Sequence, residues 1–135
     1  MSSTLEGGCL CGKIRYRVSG DPAMQVNCHC KNCQRQSGSA FSTIMGFAES
    51  ALSIEGEFKT YDDQGESGES VLRDFCPDCG SPLFSRVAVA PGLTFIKAGT
   101  LDETASFAPA MHLWTKSKQE WVDLAGQPAF ETNPG

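Results

Sequence analysis

Apolar and polar residues alternate in short runs along this chain, and no long helical periodicity interrupts them. Over residues 13–18, Ile14, Tyr16 and Val18 share one face while Lys13, Arg15 and Arg17 share the other. A period of two is the signature of a half-buried strand. A solvated face accounts for the three basic residues, and a binding surface is the alternative. Residues 41–47, 70–75, 83–89, 93–98 and 110–115 are rich in aromatic and β-branched residues and predict further strands. Residues 52–54 and 57–61 flank Gly56, which predicts a hairpin or a bend between them. Pro91 and Gly92 mark a turn. Residues 62–70 read as an exposed acidic loop. Only residues 30–37 suit a helix, with Gly38 where a C-cap belongs. The expected class is mainly β, as several small antiparallel sheets with little helix. One domain over residues 5–121 would be followed by an irregular, frayed tail over 122–135.

The 135 residues suffice for one domain with its own core. No stretch approaches the roughly 20 apolar residues of a membrane span, so no membrane role is expected. The N-terminal residues lack a basic start followed by an apolar run, which makes the cytoplasm the expected location. The net charge of −5 argues against nucleic acid as a partner, since a phosphate backbone calls for a basic patch.

Seven cysteines fall into three groups: Cys9 and Cys11; Cys28, Cys30 and Cys33; Cys76 and Cys79. In a reducing compartment, clustered cysteines hold metal or do chemistry more often than they form disulfides. An odd count cannot pair off completely. Two tight pairs, each followed by a glycine, can supply four thiolates to one closed tetrahedral site, which favours zinc. The triplet supplies three and would leave a fourth position for water or a substrate sulfur. His29 stands between two of its cysteines and is either a fourth ligand or a packing residue. A distant residue such as His112 could also complete the triplet, making it structural. The expectation is two zinc ions per chain, one for the fold at Cys9, Cys11, Cys76 and Cys79, and one for catalysis at Cys28, Cys30 and Cys33. Zinc in an open thiolate site lowers the pKa of a bound thiol and keeps it nucleophilic toward small electrophiles such as aldehydes. Attack by a metal-activated water is the competing chemistry.

Four stretches carry a resemblance to a known family: GGCLCGKIRYRVSG from Gly7, CHCKNCQRQSGSAF from Cys28, FCPDCGSPLF from Phe75 and KAGTLDE from Lys97. Together they resemble the glutathione-dependent formaldehyde-activating enzyme family, also called the centromere protein V/formaldehyde-activating domain. The likeness spans about residues 5–121. It implies small antiparallel sheets organised around zinc, the same division of the cysteines between a structural and a catalytic zinc, and carbon–sulfur lyase chemistry on S-hydroxymethylglutathione. A small thiol, glutathione, is then the implied partner; a homodimer is one assembly the chain could adopt. In that light Arg35 is a candidate to pair with a glutathione carboxylate, or else a solvated helix residue. Ser37 and Ser39 are candidate donors to ligand oxygens, or turn caps. His112 is a candidate proton shuttle, or a core histidine. Lys116 and Lys118 could reach an anion, and Trp114 and Trp121 read as core or pocket wall. A glutathione-binding carrier, or an interaction module with two structural zincs, are the other functions consistent with the cysteine pattern.

Overall fold

The computed structural model describes residues 4–66 and 68–133. In chain order its elements are β1 (Thr4–Gly8), β2 (Arg15–Ser19), β3 (Met24–Cys28), α1 (Lys31–Ser37), β4 (Ser42–Ala48), β5 (Leu52–Glu55), β6 (Lys59–Gln64), β7 (Ser70–Phe75), β8 (Pro82–Val87), β9 (Leu93–Lys97) and β10 (Met111–Leu113). The protein is mainly β, as its alternating pattern predicts. Two sheets carry it: a three-stranded one ordered β1-β2-β5, and a seven-stranded one ordered β10-β3-β4-β9-β8-β7-β6. Neighbours are antiparallel except β10, which runs parallel to β3. Among the described residues no helix is long and apolar enough to cross a membrane.

Strand alternation gives the large sheet two chemically different faces. Met45, Ile96 and Phe84 are cross-strand partners in sequence, and all three are buried. With Phe47 they meet Tyr16 and Val18 of the small sheet, and Ile14 just before β2, in one apolar cluster. Tyr16 and Phe84 pack edge to face with centroids 5.3 Å apart, a favoured aromatic geometry. The opposite face carries Cys28, Ser42, Ile44, Lys97, Ser85 and Arg73, again by register. A second apolar cluster, of Val26, Leu113, Trp114 and the three central cysteines, lies at the β3–β10 end.

The basic face of β2 is solvated and paired: Arg15 contacts Asp102, and Arg17 reaches Glu6 at 3.1 Å. Gly56 makes a bend, not a hairpin. It holds φ +100°, and Lys13 O lies 2.5 Å from where a Cβ would stand. There the chain passes from β5 in the small sheet to β6 at the edge of the large one. Of the expected acidic loop, Asp62, Asp63 and Gln64 belong to β6, where they pair with Leu72, Val71 and Ser70. Ser67 lies outside the described residues. The C-terminal segment is irregular but tied down. Trp114 N donates to Thr132 O, His112 N to Pro128 O and Phe130 N to His112 O, and Phe130 packs on the second apolar cluster.

Candidate metal centres and the adjoining cavity

Two loops far apart in sequence meet at the first cysteine cluster. Cys9 and Cys11 follow β1, and Cys76 and Cys79 lie in the turn from β7 to β8. Each pair is closed by a glycine in the left-handed region, Gly12 at φ 82° and Gly80 at φ 79°, a conformation a Cβ would penalise. The four sulfurs lie within 4.8 Å of one another. Cys9 Sγ is 3.6 Å from Cys11 Sγ, and Cys11 Sγ is 3.7 Å from Cys76 Sγ. A disulfide needs about 2.05 Å, whereas the edge of a tetrahedron with 2.3 Å metal–sulfur bonds is about 3.8 Å. The spacing therefore fits four thiolates around one ion. Ile14 N–H donates to Cys9 Sγ at 3.3 Å. The Ser81 hydroxyl contacts Cys79 Sγ at 3.2 Å and accepts from Leu10 N at 2.9 Å, which links the two loops. Hydrogen bonds from the Ser81 side chain and backbone lower the Cys79 thiol to about 5, so it favours the thiolate a metal requires.

The central triplet is built on a strand end and a helix start. Cys28 closes β3, Cys30 is the N-cap of α1, and Cys33 sits in its first turn. Cys30 Sγ accepts from Cys33 N at 3.2 Å. This is the short helix expected over residues 30–37, and Gly38 ends it at φ 65° with its N–H on Gln34 O. The three sulfurs lie within 4.8 Å of one another, all three residues are buried, and no described His, Asp or Glu joins the group. Hydrogen bonds from Cys28 and Cys30, aided by nearby Lys97 and Arg73, lower the Cys33 thiol well below its usual range against the opposing effect of burial. Hydrogen bonds with Cys30 and Cys33, together with burial, push the Cys28 thiol up. All seven cysteines are free of disulfides.

Beside the triplet, the large sheet lines a cavity of about 240 Å³. Cys28, Cys30 and Cys33 form one wall, with Trp114 and Leu113 beyond them, while Ser42, Arg73 and Lys97 come from β4, β7 and β9. Arg73 is 3 % exposed, its Nε donates to Asp63 at 2.8 Å, and its Nη1 lies 3.9 Å from Cys33 Sγ. Lys97 is 6 % exposed and donates to Ser42 Oγ at 2.6 Å. Both cations escaped the sequence reading. The signal was present: each is a charged residue inside a short apolar strand, LTFIK and SVLRDF. A charge there is buried only when something pairs with it.

The substrate candidates lie elsewhere. Arg35 and Ser39 are exposed. Ser37 Oγ donates to Cys33 O at 2.7 Å and so serves its own helix. None of the three, nor His112, lines the cavity. His112 sits behind the triplet. Gln127 donates Nε2 to Pro109 O, so its Oε1 accepts from His112 Nε2 at 3.0 Å. That leaves His112 Nδ1 to accept from His29 Nε2 at 3.0 Å. The chain of bonds links the two imidazoles to Gln127 and sets which ring nitrogen donates at each. Burial, with His112 and Lys118 nearby, lowers His29 to about 4. Neither imidazole joins the cysteine triplet within ligand distance. Lys118 donates to the carbonyls of Gln119 and Val122, and Lys116 lies 5.1 Å from the Trp114 ring centroid. Trp121 is exposed.

The chain is similar to known proteins in sequence and in fold. A Halomonas elongata protein, whose name describes it as a candidate glutathione-dependent formaldehyde-activating enzyme, is 29% identical over 132 residues, covering 89% of this chain and 80% of its own. A crystal structure of a Rhodobacter sphaeroides protein shares the fold with a TM-score of 0.57 at 16% identity, covering 93% of this chain and 98% of that one. Residues 4–117 match the model of the glutathione-dependent formaldehyde-activating enzyme family, and the chain belongs to that family.

Proposed function

We propose that this protein is a zinc-dependent carbon–sulfur lyase that forms and cleaves the adduct of glutathione with a small aldehyde, formaldehyde first. One observation carries the reading. The cluster of four cysteines supplies enough ligands for a tetrahedral site, whereas the cluster of three has no fourth His, Cys, Asp or Glu ligand among the described residues and faces a cavity. A closed set is the mark of structural zinc and an open one of catalytic zinc. The family name supplies the thiol and the aldehyde.

Cys9, Cys11, Cys76 and Cys79 would hold the structural ion, and Cys28, Cys30 and Cys33 the catalytic one. Zinc at the triplet would supply Lewis acidity that keeps a substrate thiol ionised near neutral pH. The chain's own part is orientation. The apolar wall of Leu113 and Trp114 excludes water, and Arg73 offsets the thiolate charge through its 3.9 Å contact with Cys33. Arg35, exposed on α1, is the proposed contact for a glutathione carboxylate outside the cavity. His112 is proposed to position His29 behind the ligand loop, since its ring nitrogens are both engaged. Ser37 and Ser39 are proposed to shape the end of α1. Seven free thiols in ligand clusters suit a reducing, cytoplasmic setting.

Exchange NMR on glutathione and formaldehyde tests the reading. Catalytic amounts of zinc-loaded protein should accelerate interconversion of the free and hydroxymethylated thiol. Glutathione binding with an unchanged interconversion rate would make the protein a carrier and contradict the lyase.

A further inference from the structure

Lys97 is a buried lysine with no carboxylate partner among the described residues. It is 6 % exposed, and the ion pairs among the described residues leave it out. Of its three donors, one is used on Ser42 Oγ at 2.6 Å. A buried charge carries a desolvation penalty of several kcal/mol, which its surroundings must offset. Its surroundings are the cysteine triplet and a cavity. The register shows how they meet. Cys28 stands opposite Ser42, Lys97 stands opposite Ile44, and Ser42 and Ile44 point to one side of β4. Cys28, Ser42 and Lys97 therefore share a face of the sheet, with β4 between the other two strands. Two strand spacings are about 10 Å, a gap that one lysine side chain and one small ligand can span together. Arg73 shares this face, but Asp63 holds its Nε.

We propose that Lys97 is a catalytic residue of this cavity: its ammonium binds the oxygen carried by the carbon next to the substrate sulfur, and exchanges a proton with it. The proposal deepens the lyase reading and rests on it for the reaction. In the adding direction the thiolate sulfur uses a lone pair to bond the carbonyl carbon. The C=O π pair moves onto oxygen, and that oxygen takes a proton from the Lys97 ammonium. The amine regains its proton from water. In the reverse direction the amine removes the hydroxyl proton, the carbonyl re-forms, and the C–S pair leaves on sulfur. Ser42 holds the lysine in place through its hydroxyl, and is a positioning residue. Preorganised donors of this kind act strongly on developing oxyanions in a site that excludes water.

Thioglycolate tests this without any turnover, because it offers a sulfur and an anionic oxygen on one small molecule. Ethanethiol offers the sulfur alone. Calorimetry would compare zinc-loaded wild type with Lys97→Met and Lys97→Gln, each first assayed for zinc content and folding. The expected result is two zincs per chain in all three proteins, ethanethiol affinity within about twofold, and thioglycolate affinity at least about tenfold weaker in both variants. Exchange NMR should show the glutathione–formaldehyde rate falling at least about 100-fold. Equal thioglycolate affinity in wild type and variants overturns the proposal, as does its failure to bind wild type. Loss of a zinc from both variants also overturns it, since Lys97 would then serve the cysteines. If wild type discriminates thioglycolate through Lys97 yet shows no glutathione–formaldehyde exchange, the oxyanion site stands and the lyase reading fails.

Discussion

Arg73 on β7 and Asp63 on β6 form an ion pair at 2.8 Å with side chains only 4% and 16% exposed. Asp63 also accepts from Asn32 Nδ2 at 3.1 Å, which ties α1 to the edge of the large sheet. Removing one member of a buried pair leaves an uncompensated charge, at a cost of about 3–5 kcal/mol. Asp63→Ala should therefore destabilise the protein by about that amount and loosen the helix that carries Cys33. Glu6→Ala, which breaks the exposed pair with Arg17, should cost no more than about 1 kcal/mol. Urea denaturation of both variants checks the contrast, and equal losses would contradict it.

The two cysteine clusters should respond differently to mutation. Cys76 is fully buried in the main core and belongs to the set that joins β1–β2 to β7–β8. Cys76→Ser should lose one zinc and the cooperative thermal transition together, because binding energy at a structural site is folding energy. Cys30→Ser should lose one zinc yet keep a cooperative transition and its far-ultraviolet spectrum. Metal analysis alongside circular dichroism makes the comparison. An unfolded Cys30→Ser with a folded Cys76→Ser would invert the assignment.

Tyr16 gives the fold an alkaline limit. Burial raises its phenol to about 12, against the lowering effect of the Thr100 hydrogen bond at 2.7 Å. Between about pH 10 and 12 the unfolded chain loses this proton while the folded chain keeps it. Stability therefore falls as pH rises through that window, by up to about 2–3 kcal/mol, and is unaffected by Tyr16 below it. Tyr16→Phe should cost about 1 kcal/mol at neutral pH for the lost hydrogen bond, then decline less steeply above pH 10. Parallel slopes for the two proteins would remove Tyr16 from the account.

What could be read from the chain depended on how local the cause was. The helix after Cys30 and its stop at Gly38 were legible because capping is a matter of neighbouring residues. So were the ligand clusters, since tight cysteine spacing constrains geometry wherever the loops lie. β1 and β3 escaped notice: Thr4–Gly8 ends in two glycines and Met24–Cys28 sets polar Gln25 and Asn27 among buried neighbours. Their identity as strands comes from partners far along the chain. Arg35, Ser37 and Ser39 drew attention by adjacency to the triplet, yet a helix turns successive residues to different sides. Lys97 reaches the cavity through register across three strands, a relationship that no local pattern encodes.

The central claim is that the triplet holds a zinc whose fourth position takes a substrate thiolate. Zinc-edge X-ray absorption measures this most directly. With seven cysteines on two ions, the resting protein should average about 3.5 sulfurs per zinc at about 2.3 Å. Saturating glutathione should raise that average to about 4 as the light-atom scatterer is lost. An average of 3.5 that glutathione leaves unchanged, or four protein ligands on both ions at rest, would contradict the account.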